Sequence, residues 1–367
     1  MIDQARLEEL QHLGSVLEAL CVYDRHVRQR WDREVAQRAS QSNSEQVRCL
    51  VAQRGIRVHE ALDTNRRFCL QLRQSGASAF LTKWAKTQEE FDRVLTDSNA
   101  HDRDINKVTA TLRQFAREWS AEGAREREHL HKYFIDNLKQ HCESRASVLV
   151  PGCGLGRLAF DLAKEGFRVE TNEVSYQMLC GMTLLFMQQH PQQWRLCPFV
   201  DTFDNVTDTD SQCRQITVPD VSMEGLDDLE ISFCAGHFFE QYQDRHFDAV
   251  ATCFFIDAVP DVEHCIRLIH DMLPDGGVWV NSGPLTWHVH DNEEPPLRLS
   301  FQELLKVIES AGFTLLHSSM REDGISGYAD NEQSLNVRAY RLGCFVARKN
   351  DTSPFSVSST PPTARDH

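Results

Sequence analysis

The chain has 367 residues, of which 41% are apolar and 25% charged, and its formal net charge at pH 7 is −15. That is the composition of a globular protein with room for two domains, or for one α/β domain carrying a large extension. The acidic balance argues against broad binding to nucleic acid or anionic membranes, which needs clustered cations, and no window approaches a membrane span.

Residues 1–140 read as helix throughout, because apolar side chains recur at three and four (Leu7, Leu10, Leu13, Leu17, Leu20) without strand-type alternation. Residues 24–73 carry eleven arginines against six acids. This is a solvated helical face, or a basic arm that docks on the acidic body or on a second subunit, which makes a homodimer through these helices an open expectation. The start lacks the apolar core of an export signal. Twelve cysteines are scattered with no C-x-x-C pair, many of them inside apolar runs, as reduced core thiols are. The expected address is cytoplasmic, with a nuclear one also open.

From about residue 147 the texture changes to strands alternating with helices, the signature of a parallel sheet covered on both faces. Val148–Val150 is the first strand, and it runs into glycines at 152, 154 and 156, followed by a helix from Leu158 to Glu165. Glycines at such a junction let the backbone turn sharply and let a cofactor lie against bare peptide. The spacing G-x-G-x-G differs from the dinucleotide G-x-G-x-x-G, which points away from a nicotinamide enzyme. The second strand, Arg168 to Glu173, ends in a carboxylate placed to accept from a ribose hydroxyl pair. Together, Gly152, Gly154, Gly156 and Glu173 read as an S-adenosylmethionine site.

A second helix is expected from Tyr176 to Gln189, stopped by Pro191. Residues 204–230, acidic and poor in large apolar groups, read as an exposed excursion before a third strand, Ile231–Cys234. The near-continuous apolar run Phe247–Ile256 is a central buried strand. A helix over 261–272 and a Pro-Asp-Gly-Gly turn lead into the fifth strand, Val278–Asn281. Ser300-Phe-Gln-Glu303 is a capping box that opens the next helix. Phe313–His317 and Arg341–Arg348 are two closing strands, and the tail from Asn350, rich in Ser, Thr and Pro, is expected to be disordered. In this order the pieces make a Rossmann-like class I methyltransferase sheet, parallel with an antiparallel closing hairpin, over 141–349. The all-helical region 1–140 precedes it and the tail 350–367 follows.

Several stretches are more specific. Val150-Pro-Gly-Cys-Gly-Leu-Gly-Arg-Leu158, Thr171-Asn-Glu173, Ala251-Thr-Cys-Phe-Phe-Ile-Asp257, Asn281-Ser-Gly-Pro-Leu-Thr-Trp-His288 and the upstream Thr111-Leu-Arg-Gln-Phe-Ala-Arg-Glu-Trp-Ser120 resemble the carnosine N-methyltransferase family. The resemblance covers roughly 105–348. It implies transfer of the methyl group of S-adenosylmethionine to an imidazole nitrogen of carnosine, a small histidyl dipeptide, giving anserine. Periodicity alone puts Gln114 and Arg117 on a solvated face, with Leu112, Phe115, Ala116 and Trp119 as the apolar stripe. The resemblance instead implies that both reach the cofactor, Arg117 through the methionine carboxylate. It also implies ribose bonding by Glu173, Phe238 beside the adenine and Cys253 on the cofactor wall, where packing alone would equally account for a cysteine. Where the family has an acid, this chain has His237, which accepts through one nitrogen only when neutral.

The acceptor chemistry needs orientation more than a strong base, because a neutral imidazole already carries a lone pair. A carboxylate on the ring's other N–H would fix the tautomer and stabilise the growing imidazolium. Asp257, ending an apolar strand at the edge where open α/β sheets bind ligands, suits that role. The resemblance adds His288 as a substrate hydrogen-bonding group and Tyr340 on the peptide or carboxylate part of the substrate. His290, His264 and His270 lack ligand spacing with carboxylates, so no metal is expected. Two other readings stay open from sequence: methylation of a protein histidine, and a cofactor-binding scaffold without catalysis.

Overall fold

A computed structural model describes residues 2–187, 192–288, 295–329 and 331–351. The first third is helical, as its periodicity predicts. Helix α1 (Ile2–Trp31) continues through a π-helical turn (Asp32–Ala36) into α2 (Gln37–Ser40). Helix α3 (Glu45–Gly76) starts where the Ser44 hydroxyl accepts from the Val47 N–H, and a second π-helical stretch (Ala77–Leu81) leads to α4 (Thr82–Trp84). Helices α5 (Gln88–Asp97), α6 (Asp102–Trp119) and α7 (Ala124–His141) follow.

Of the leucine stripe on α1, Leu10, Leu13, Leu17 and Leu20 are buried, whereas Leu7 stays exposed. The basic face of α3 docks in part on the chain's own body. Arg54 Nε donates to Gln212 Oε1 (2.7 Å) and stacks on Trp31, and Arg57 pairs with Asp210 (2.9 Å).

The rest forms a seven-stranded sheet: β1 (Ser147–Pro151), β2 (Arg168–Glu173), β5 (Ile231–Ala235), β6 (Ala249–Cys253), β7 (Val278–Gly283), β8 (Phe313–Ser326) and β9 (Tyr340–Lys349). Its order is β5-β2-β1-β6-β7-β9-β8, with β5 through β7 parallel and β9 antiparallel to both neighbours. The order reverses at β1, so the carboxyl ends of β1 and β6 open a crevice there. Helices α8 (Arg157–Lys164), α9 (Tyr176–Phe186), α12 (Val262–Met272) and α13 (Phe301–Ser310) cover the faces, and short α11 (Phe238–Gln241) follows β5. The Ser300–Glu303 capping box is present. The expected end of the second helix at Gln189 and the tail beyond 351 lie outside the described residues.

One expectation fails. The segment 204–230 is no simple exposed excursion. It holds α10 (Thr209–Gln212) and β4 (Ile216–Val218), and β4 pairs with β3 (Trp194–Leu196) in a separate antiparallel hairpin. Leu196, Ile216, Val218 and Met223 are buried in one core with Tyr23, Phe68 and Phe115 of the N-terminal helices. Two three-residue strands give too short an alternation to stand out against the acidic residues around them.

Asn65 of α3 locks that hairpin in place. It is fully buried, donates to the Cys197 carbonyl (2.9 Å) and accepts from the Cys197 N–H (2.7 Å). An Asn65→Ala variant would leave both backbone groups unsatisfied. It should cost about 3 kcal/mol, lowering the melting temperature by roughly 4 °C in a calorimetric scan.

Candidate active site

The glycine loop leaves β1 with Gly152, Gly154 and Gly156 all at positive φ (+59°, +60° and +80°), and α8 begins at once after the third. A Cβ would meet the Phe255 ring at 2.5 Å from Gly152 and the Glu118 carboxylate at 2.7 Å from Gly154. The loop therefore needs glycine both for conformation and for space.

Glu173 at the end of β2 is buried and binds the loop directly. Oε2 accepts from the Gly154 N–H (3.0 Å), while Oε1 accepts from the amides of Val174 and Ser175 (both 2.8 Å). Burial pushes this carboxyl above its usual range, and the three amides pull the other way. Each carboxylate oxygen can accept more than one bond, so capacity for hydroxyl donors remains.

The upstream helix supplies the opposite wall. Gln114 and Arg117 are buried at 7% and 6% exposure, which overturns the solvated placement that periodicity alone suggests. From Thr111 to Trp119 helix α6 is covered nearly all round, because its polar side there faces the loop. The Arg117 guanidinium lies over the rings of Phe254 (4.9 Å) and Tyr328 (4.6 Å), with Glu126 3.5 Å from Nε. Neither Nε nor Nη2 has a hydrogen-bond partner among the described residues. Burial works against its charge, but Tyr328, Cys253, Glu118 and Glu126 outweigh burial and raise its pKa.

Glu118, one residue further on, went unnoticed in the sequence although it lies inside the quoted stretch. Buried at 6%, it accepts from the Gln114 side chain and from the amides of Leu155 (3.4 Å) and Arg157 (3.2 Å).

Phe238 is held in the core against Phe255 (5.2 Å) and Tyr242 (5.6 Å). Just before it, Gly236 accepts from Asn172 Nδ2 (2.9 Å) and donates to the Glu173 carbonyl (3.0 Å), which brings this corner and exposed His237 beside the end of β2. Cys253 ends β6, where burial pushes its thiol up to about 12, so it is a neutral wall.

The chain leaves β6 through Phe254, a non-glycine residue at φ +53°, whose ring faces Tyr328 (5.0 Å) and Tyr340 (6.3 Å). Asp257 follows. It is 2% exposed, its Oδ2 accepts from the Thr286 N–H (2.8 Å) and its carbonyl accepts from the His288 N–H (2.9 Å). The His288 side chain is exposed, and Tyr340 is half-buried at the start of β9. All the residues expected from sequence thus gather around the carboxyl edge of β1, β2, β6 and β7. The structure adds Glu118, Phe254 and Tyr328.

A cover crosses this edge between β8 and β9. Tyr328 sits on Arg117, the Ala329 N–H bonds Glu126 (3.0 Å), Asn331 accepts from Arg214 (3.0 Å), and the Leu335 N–H bonds the Asn205 carbonyl (2.9 Å).

A sequence model described as carnosine N-methyltransferase matches residues 95–351. The chain belongs to the carnosine N-methyltransferase family. The carnosine N-methyltransferase of Rattus norvegicus is 30% identical over 360 residues, spanning 95% of this chain and 88% of that protein. That of Schizosaccharomyces pombe is 36% identical over 240 residues, 59% of this chain and 64% of that one. Among solved structures, a TehB-like SAM-dependent methyltransferase from Corynebacterium glutamicum aligns at 13% identity and a TM-score of 0.37, covering 66% of this chain and 99% of that one.

As a member of the carnosine N-methyltransferase family the chain is a methyltransferase, and S-adenosylmethionine is its expected cofactor. The residues present fit that group. Arg117 offers buried, unfilled donors to a carboxylate, the loop is bare peptide with no room for a Cβ beside Phe255 and Glu118, and Glu173 stands at the end of the second strand. Among the described residues, no helix is long and apolar enough to cross a membrane.

Proposed function

We propose that this chain methylates an imidazole nitrogen of carnosine, giving anserine. The observation that carries the reading is Asp257, a carboxylate buried at 2% exposure and held by the Thr286 N–H at the carboxyl edge of the parallel sheet. S-adenosylmethionine supplies a methyl group on a sulfonium. A neutral imidazole held beside that group would offer the lone pair of its unprotonated nitrogen as the methyl acceptor, and the ring would then lose the proton on its other nitrogen to give the neutral product.

Asp257 accepts the N–H of the other ring nitrogen. That bond selects the tautomer, frees the attacking nitrogen and stabilises the positive charge that appears on the ring. On the cofactor side, Arg117 and Gln114 would hold the methionine end, Gly152, Gly154 and Gly156 would give close backbone approach, and Glu173 would take the ribose hydroxyls. Phe238 and Cys253 wall the pocket, with His288 and Tyr340 contacting the rest of the dipeptide. The cover that places Tyr328 on Arg117 narrows this edge, which suits a small substrate.

Methyl transfer from labelled S-adenosylmethionine should be compared on carnosine, free histidine and a histidine-containing protein extract. Strong labelling of carnosine is the expected result. Labelling confined to the extract would move the acceptor to protein histidine, and cofactor binding without any transfer would indicate a silent scaffold.

A further inference from the structure

The pocket around the glycine loop holds more buried negative charge than positive. Glu118 and Glu173, at 6% and 8% exposure, press on the loop from opposite sides, and Gly154 lies between them. Arg117 is the buried cation beside them, and it already faces Glu126 at 3.5 Å. Arg157, the next buried guanidinium, donates to the Glu118 main-chain carbonyl (2.9 Å), and its charge is engaged by Asp161 (3.0 Å) and Asp220 (2.7 Å). The loop itself, Val148 to Leu158, contains no carboxylate. Glu118 therefore brings an anion to the cradle that the loop does not supply. Buried charge of one sign is costly unless a partner of the other sign meets it.

We propose that Glu118 makes the cofactor site selective for a cation, so that the sulfonium form is held in preference to the thioether left after transfer. This rests on the reading of the glycine loop as the cofactor cradle. S-adenosylmethionine carries one carboxylate, one ammonium and one sulfonium, a net charge of about +1, and loss of the methyl group removes the sulfonium charge. A site with surplus buried carboxylate binds the first better than the second and favours product exchange. Gln114 holds the Glu118 carboxylate toward the loop, and the Leu155 and Arg157 amides anchor it there.

The test is calorimetric titration of the full chain and of Glu118→Gln with S-adenosylmethionine and with S-adenosylhomocysteine. Glutamine keeps the size and a carbonyl oxygen for the loop amides but removes the charge. The variant should lose about tenfold in affinity for S-adenosylmethionine and less than about threefold for the product. Equal losses for both ligands, or no loss for either, would overturn the proposal by making Glu118 a shape-holding residue only. A wild-type chain that binds neither ligand would instead overturn the cofactor reading itself.

Should the variant not fold, the wild-type ratio of the two affinities can be followed from about pH 8 down to the acid limit at which the chain stays folded. Burial pushes the Glu118 carboxyl up, and the other groups near it are Arg117, Arg157, Glu173, Cys153, Cys253 and Tyr328. The two thiols and the phenol are themselves pushed up by burial and stay neutral in this range. Protonation of the carboxylates removes the surplus charge, so the ratio should fall with pH. A flat ratio would contradict the proposal.

Discussion

Replacing Asp257 by asparagine is expected to lower kcat for carnosine by about 10²–10³-fold, roughly 3–4 kcal/mol of transition-state stabilisation. The size follows from the fixed N–H of Thr286, 2.8 Å from Oδ2. That amide demands an acceptor, so an asparagine must turn its single carbonyl oxygen toward Thr286. Its NH₂ then occupies the position that Oδ1 holds in the native chain and meets the substrate's ring N–H donor to donor. The tautomer is no longer selected, and the ring charge that grows during transfer has no counterion. The buried backbone bond survives, so the fold and the affinity for S-adenosylmethionine should change less than about twofold, a few tenths of a kcal/mol. Steady-state kinetics with a parallel binding titration separate the two effects. A variant that turns over within threefold of the native enzyme would remove Asp257 from the mechanism.

Gly154→Val should abolish measurable cofactor binding, with a loss of at least about 100-fold, or roughly 2.7 kcal/mol. Three costs coincide at this residue. Its φ of +60° is strained for a β-branched side chain. A Cβ would lie 2.7 Å from Glu118 Oε1 and 3.4 Å from Gln114 Nε2, so both must be displaced. Any shift of the backbone to relieve the clash breaks the 3.0 Å bond from the Gly154 N–H to Glu173. Gly166→Ala is the control: Gly166 also has positive φ (+93°), but a Cβ there meets nothing within 4 Å. That variant should lose about 1 kcal/mol of stability and bind the cofactor normally. Unaltered affinity in Gly154→Val would place the cofactor elsewhere.

How legible the molecule was depended on how local each signal is. The glycine loop, Glu173 and the order of the strands could be read directly, because period, turn residues and strand-terminal acids are properties of a few contiguous residues. Strand ends were less clear. The run Phe247–Ile256 suggests ten extended residues, yet β6 stops at Cys253 because Phe254 turns to positive φ.

The wall formed by α6 could not be read from periodicity, which assigns Gln114 and Arg117 to water. Their burial depends on a loop thirty-five residues away in the chain. Motif resemblance recovered these two but missed Glu118 between Arg117 and Trp119, since a lone acid on a polar helix face carries no signal of its own. Tyr328 was invisible for the same reason. Its contact with Arg117 spans most of the methyltransferase sheet. The β3–β4 hairpin was hidden by brevity and by acidic neighbours.

The cover between β8 and β9 sets the order in which the site is assembled during synthesis. The cradle, both buried carboxylates, Arg117 and Asp257 are all encoded before residue 258, whereas Tyr328, Ala329 and Tyr340 come from the last stretch of described chain. A nascent polypeptide emerging from the ribosome therefore carries the floor and walls of the pocket long before its roof. Until β9 inserts between β7 and β8, the Arg117 guanidinium faces solvent without the Tyr328 ring over it, and the cofactor has an open door.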